Sequence, residues 1–133
     1  MHPFGLAMAR HDVDAAVTML ATDVEFRSPV VFTPYSGRDA VAPLLYAVAD
    51  VLRDFRYTRE IGVPDGRDLA LVFQARAGDK QVEGCDFLHL DGSGLIDELF
   101  VMIRPMSGAR ALAEAMQARL DAASRGRQGG AAG

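Results

Sequence analysis

Apolar positions along the chain change their spacing twice. They recur every three to four residues up to Leu20 and again from Val41 to Leu52, then alternate from Phe55 onward. Pro3 opens a first helix, because its missing N–H falls where a helix leaves that donor unpaired. Weak helical periodicity then runs from Phe4 to Ala9. Asp12 offers an N-cap to a second helix whose apolar face is Val13, Ala16, Val17 and Leu20. Val24 to Pro29 reads as a short strand stopped by proline, with a loop following through Thr33 to Gly37. A third helix is expected over Arg38 to Arg53, with Val41, Leu44, Leu45, Val48 and Leu52 on one face. Pro43 fits badly in its interior, so this helix either begins near Pro43 or is kinked in its first turns.

The alternating region predicts four strands: Phe55 to Gly62, Asp68 to Ala77, Gln81 to Leu90 and Leu95 to Arg104. Turn signals separate them at Pro64-Asp65-Gly66, Gly78-Asp79 and Asp91-Gly92-Ser93-Gly94. Pro105 ends the last strand, and Ser107 caps a final helix carrying Leu112, Met116 and Leu120. Residues 124–133, rich in Gly, Ala and Arg, are expected as a disordered tail behind one domain spanning 1–123. The predicted class is α+β, a curved antiparallel sheet wrapped around the N-terminal helices. The fourth long strand is apolar on both faces. Leu95, Leu99, Val101 and Ile103 form one row, and Ile96, Phe100 and Met102 the other. One row would meet helices and a pocket, and the other a second subunit, so a homodimer through the outer sheet face is expected.

Composition narrows the function classes. The 133 residues are half apolar and carry a net charge of −4, with no basic stripe, which speaks against nucleic acid. No apolar run is long enough for a membrane span, and the start lacks a secretory pattern, so a cytoplasmic location is expected. Cys85 is the sole cysteine, which reads as a small core residue. His2 and His11 show no ligand spacing, and neither a metal nor a cofactor is expected.

The clearest candidate for chemistry is Asp86, a carboxylate inside an apolar strand, with the parity of Gly84, Leu88 and Leu90. Such a group is costly to bury unless it is solvated, paired or used. It is either an acid/base with a raised pKa in an apolar pocket, or a structural carboxylate paired with Tyr57, Arg59 or Arg104. His89 has the opposite parity and should face the other side, at a subunit interface or as a satisfied structural histidine. Ser28 and Tyr35 flank the loop at the expected pocket mouth, either orienting a ligand or serving as a turn residue and a loop anchor. Tyr46 and Tyr57 either line the pocket or are core aromatics with wet hydroxyls, and Phe100 joins them as a ligand-binding candidate.

Four segments together carry a resemblance: Asp12-Val13-Asp14, the Val24 to Pro29 strand, Pro34-Tyr35-Ser36-Gly37 and the Asp86 to Ile96 hairpin. From Phe4 to Met106 the chain resembles the cone-shaped, cystatin-like nuclear transport factor 2-like superfamily and its SnoaL-like polyketide cyclases, ketosteroid isomerases and limonene epoxide hydrolases. Against the ketosteroid isomerases, Asp86 matches the protonated aspartic acid of the oxyanion hole. Their aspartate base falls on Ser28 and their tyrosine on Phe4. The late-strand aspartate of the epoxide hydrolases falls near Val101. The resemblance implies an isomerase- or cyclase-type enzyme acting on a small hydrophobic cyclic or polyketide-like molecule, with Asp86 as acid/base. The alternatives on the same fold are a non-catalytic ligand binder and a dimerisation module.

Overall fold

The computed structural model describes residues 1–132, with side chains through Ser124. Two short helices, α1 (Pro3–Ala9) and α2 (Val13–Thr18), lead into strand β1 (Leu20–Arg27). The two-residue strand β2 (Tyr35–Ser36) precedes α3 (Arg38–Val51). Four long strands follow: β3 (Leu52–Ile61), β4 (Asp68–Ala77), β5 (Lys80–Leu90) and β6 (Ile96–Arg104). Helix α4 (Met106–Ala132) closes the chain. The expected tail, 124–133, coincides with the end of α4 and Gly133, and its side chains beyond Ser124 lie outside the described residues.

The elements follow from local chemistry. Asp12 caps α2 by accepting a hydrogen bond from the Ala15 N–H at 3.2 Å. Leu20, expected on the α2 face, instead begins β1, because α2 ends at Thr18. α3 begins at Arg38 and continues through Pro43, which lies on its exposed side where water can reach the unmatched carbonyl one turn back. No loop separates α3 from β3. Leu52 ends the helix and starts the strand, two residues before the expected boundary.

The six strands form one curved sheet in the order β2-β1-β6-β5-β4-β3. The β3 to β6 run is an antiparallel meander, and β1 joins it in parallel beside β6. Helices cover the concave side. One cluster of buried residues gathers Phe4, Val24, Val41, Leu45, Leu71 and Leu99, and a second gathers Leu52, Phe73, Ala75, Val82 and Leu112. Tyr57 and Val101 pack against both.

Strand parity decides which residues face this interior. In β5, Gly84, Asp86 and Leu88 point inward, opposite Phe73, Leu71 and Leu69 of β4. Cys85, Phe87 and His89 point outward, opposite Met102, Phe100 and Glu98 of β6. Two irregularities in β3 reset its parity around Phe55 and Tyr57. Asp54, in the left-handed region at φ 53°, sits in the first of them. Leu52 and Phe55, three residues apart, thereby share the concave side, which strict alternation would forbid.

Gly84 is required by this packing. A Cβ there would lie 2.7 Å from the Met102 carbonyl oxygen and would run into the Phe73 ring. Gly84→Ala is expected to destabilise the fold by about 1–3 kcal/mol through overpacking, measured by urea unfolding.

Candidate active site

A cavity of about 150 Å³ opens between the concave sheet, α3 and α4. Its walls are apolar, with Phe26, Leu44, Phe55, Phe73 and Leu99 among them. The polar side chains reaching it, among the described residues, are His11, Ser28, Tyr35, Tyr57, Asp86 and Gln117. The site thus has the form expected of small-molecule pockets, an apolar wall with a few convergent polar groups.

Among the described residues, Asp86 is the one charged side chain in the buried core, at 9 % exposure. Tyr57 Oη donates a hydrogen bond to its Oδ2 at 2.8 Å. Edge-on contact with Phe55, ring centroids 4.9 Å apart, and with Phe73, 6.3 Å apart, holds the Tyr57 ring in place. Asp86 Oδ1 accepts no hydrogen bond from the described residues, although no fully buried side-chain oxygen or nitrogen lacks a partner. Oδ1 is therefore the oxygen left open to the cavity. Loss of water pushes the carboxyl from its ordinary value of 3.8 up to about 6, and the Tyr57 hydrogen bond works in the opposite direction. The same burial, with Asp86 beside it, pushes the Tyr57 hydroxyl far up, so it stays a donor throughout the physiological range.

The sequence expectations for the site divide. Ser28, Tyr35, Tyr57 and Asp86 come together at the cavity. Ser28 also shows the turn role, since its Oγ accepts from the N–H groups of Val30 and Val31 at 3.0 and 3.1 Å. Of the three structural partners considered for Asp86, Tyr57 is the one found. Arg104 lies across the sheet beside Glu83, 3.3 Å away.

Two candidates are corrected. Phe100 lies on the outer face against Phe87, ring centroids 5.8 Å apart, because it pairs with an outward-facing residue of β5. Tyr46 points off the far side of α3, where its hydroxyl meets Asp14 of α2. Its spacing from Leu45 and Val48 places it off their shared face. His89 faces outward as expected, with Nδ1 2.6 Å from Asp97 Oδ1, a contact that raises the imidazole pKa.

His11 and Gln117 were not foreseen at the cavity. His11 sits in the turn between α1 and α2, in the left-handed region at φ 59°. No periodicity extends through such a turn to signal where its ring goes. Gln117 rides on α4, whose apolar face was legible but whose packing partner was not.

A curved sheet and helices around an acid-bearing apolar cavity make up the cystatin-like, nuclear transport factor 2-like fold. Residues 4–99 match the family model described as a SnoaL-like domain, and the chain belongs to that family. A steroid delta-isomerase from Pseudomonas aeruginosa is similar at 39% identity and a TM-score of 0.85, over 90% of this chain and 87% of that one. An uncharacterised bacterial protein with a cystatin-like fold from Silicibacter pomeroyi is similar at 36% identity and a TM-score of 0.86, over 94% and 90% of the two chains. SalBIII, an epoxide hydrolase/cyclase-like enzyme of pyran ring formation in the polyether salinomycin, shares the fold at 20% identity and a TM-score of 0.64, over 79% and 87%. No curated protein matches the chain. Among the described residues, no helix is long and apolar enough to cross a membrane.

The raised carboxyl has a thermodynamic signature. The folded-state pKa, about 6, exceeds the ordinary value of 3.8, so ionising Asp86 opposes folding. The penalty is absent below the lower value, grows between the two and is constant above the upper one. Asp86→Asn keeps an acceptor for Tyr57 and removes the ionisation. It is expected to stabilise the fold by up to about 3 kcal/mol at pH 7 and to have little effect near pH 4. Thermal or urea unfolding at both pH values checks this.

Proposed function

We propose that this protein is an isomerase- or cyclase-type enzyme that moves a proton on a small hydrophobic cyclic or polyketide-like substrate, with Asp86 as the acid/base. The observation that carries this reading is a lone carboxyl whose free oxygen, Oδ1, meets an apolar cavity while Oδ2 is held by Tyr57. A value near 6 leaves both protonation states populated around neutrality, which suits a group that must accept and return a proton. In an isomerisation, the ionised carboxylate removes the proton next to a ring carbonyl, and the C–H electrons pass into an enolate. The neutral carboxyl then delivers the same proton to the far carbon of the original double bond, leaving the new double bond next to the carbonyl. Tyr57 acts as a positioning residue, fixing the carboxyl so that Oδ1 faces the substrate. The likeness to a steroid delta-isomerase at 39% identity supports this class of chemistry.

One observation favours the alternative, a non-catalytic binder on the same fold. Asp86 is the sole carboxyl among the described cavity residues, and Ser28 stands where a second would be expected. The test is conversion of an unconjugated cyclohexenone to its conjugated isomer, followed by ultraviolet absorbance. Turnover is expected to rise with pH through about 6. Asp86→Asn should cut it about a hundredfold or more while ligand binding persists. Tyr57→Phe, by deleting the hydrogen bond that lowers the carboxyl, should move the inflection upward. Undiminished turnover in Asp86→Asn would remove Asp86 from the chemistry, and binding without turnover in the wild type would establish the binder.

We also infer that the outer sheet face joins a second copy of this chain. Phe87, 38% exposed, Met102, 52% exposed, and Phe100 form its apolar centre. Groups of both signs flank it, Arg104 beside Glu83 and His89 beside Asp97, so one patch can meet its own two-fold image with charges matched. The wild type is expected to sediment as a dimer at micromolar concentration, and Phe87→Lys as a monomer. A monomeric wild type overturns this.

A further inference from the structure

Helix α4 lies beyond residues 4–99, the part matched by the family model, yet it builds one wall of the cavity. Leu112, Ala113, Met116, Gln117 and Leu120 all line it. The helix is held close by two features of its first turns. Gly108 presses against β5, where a Cβ would meet the Gln81 carbonyl oxygen at 3.0 Å. Leu112, 4% exposed, is locked among Leu52, Phe73 and Val82. Farther along, Arg119 pairs with Asp50 of α3 at 2.8 Å. The wall is therefore held in place across from Asp86, and the cavity that it helps to enclose is about 150 Å³. A dry apolar cavity of roughly that volume is filled by a single benzene-sized ring. A four-ring steroid skeleton has close to three times as many ring carbons.

We propose that α4 is the size filter of the site, and that Met116 and Leu120 restrict the ligand to a neutral, single-ring molecule bearing one carbonyl or hydroxyl directed at Asp86. The proposal rests on the reading of the cavity as a ligand site. It departs from what the name of the similar Pseudomonas aeruginosa protein implies for that protein, a steroid. Neutrality follows from the walls: a charged ligand would lose its water against apolar side chains, and an anion would also face the Asp86 carboxylate. The polar end of the ligand is directed at Asp86 and Tyr57, which lie together on the sheet side facing Leu112, Met116 and Leu120 of α4. Met116, unbranched and adaptable, trims the space to the ligand, while Leu120 limits its length.

Binding of three neutral ketones to the full chain tests this: cyclohexenone with one ring, decalone with two fused rings and androstenedione with four. Chemical-shift titration reads each. The wild type is expected to bind cyclohexenone saturably, decalone weakly and androstenedione not at all up to its solubility. Met116→Ala with Leu120→Ala should tighten decalone binding about tenfold or more and leave cyclohexenone within a few-fold. Ala113→Leu, a substitution compatible with a helix, should fill the cavity and weaken cyclohexenone binding about tenfold. It keeps the proposal testable if the double variant fails to fold. Androstenedione bound by the wild type as tightly as cyclohexenone would overturn the size filter while leaving the ligand site standing. Unchanged decalone binding in the folded double variant, or unchanged cyclohexenone binding in Ala113→Leu, would also overturn it. Failure of all three ketones to bind the wild type would sink the ligand site itself, and the filter with it.

Discussion

Asp86 stands at the middle of the concave sheet, between two clusters of buried apolar side chains, and a single hydrogen bond from Tyr57 offsets part of its lost hydration. Most of what surrounds it serves to keep that balance. The aromatic group of Phe55, Tyr57 and Phe73 fixes the donor, with Phe55 and Phe73 centroids 5.0 Å apart. Gly84, next inward-facing neighbour along β5, leaves room for the Phe73 ring. The irregularity of β3 between Arg53 and Arg56 turns Tyr57 onto the same side as the carboxyl it serves. A fold that wanted stability alone would place an apolar residue here. Keeping a carboxyl works against folding at neutral pH, a cost of the kind found where stability is traded against a destabilised group.

Much of this was legible because alternation is a strong signal. β4 falls where its Leu69, Leu71 and Phe73 pattern places it, and the parity of β5 separates Asp86 from His89. The limits are equally physical. A bulge inserts one residue without changing composition, so the shared inward direction of Leu52 and Phe55 leaves no trace in the pattern. β6 carries two apolar rows, and alternation separates them without saying which faces inward. Pairing with β5 settles it: Phe100 meets outward Phe87, and Val101 meets inward Asp86. A further register shift between His89 and Leu90 lets Ile96 and Leu99 both become buried, against their strict parity. Helical spacing alone puts Tyr46 off the Leu45 face, as observed.

The sheet also shows how its two edges are guarded. β2 is only two residues long. β3, at the other edge, turns Arg53, Arg56 and Arg59 to solvent and carries irregular register. Short, charged or bulged edges resist pairing with another chain. The apolar outer face can thus associate by its surface while the rims stay closed to strand addition. The concave face is covered from the other side by α3 and α4, with the cavity left between them.

The parallel pairing of β1 with β6 joins residues near the two ends of the domain, Phe26 beside Leu99 and Arg27 beside Phe100. During synthesis the first strand has no neighbour there until β6 has been made and has left the ribosome. The meander of β3 to β6 can form from contacts close in sequence, whereas docking of β1 must wait for a loop of some seventy residues to close, with its entropic cost. In the meantime the apolar residues of the first third of the chain, Phe4, Leu20 and Val24 among them, lack the partners that the later strands supply, Leu71, Leu88, Ile96 and Leu99. The topology therefore makes the pairing that ties the N-terminal segment to β6 among the last contacts the chain can form.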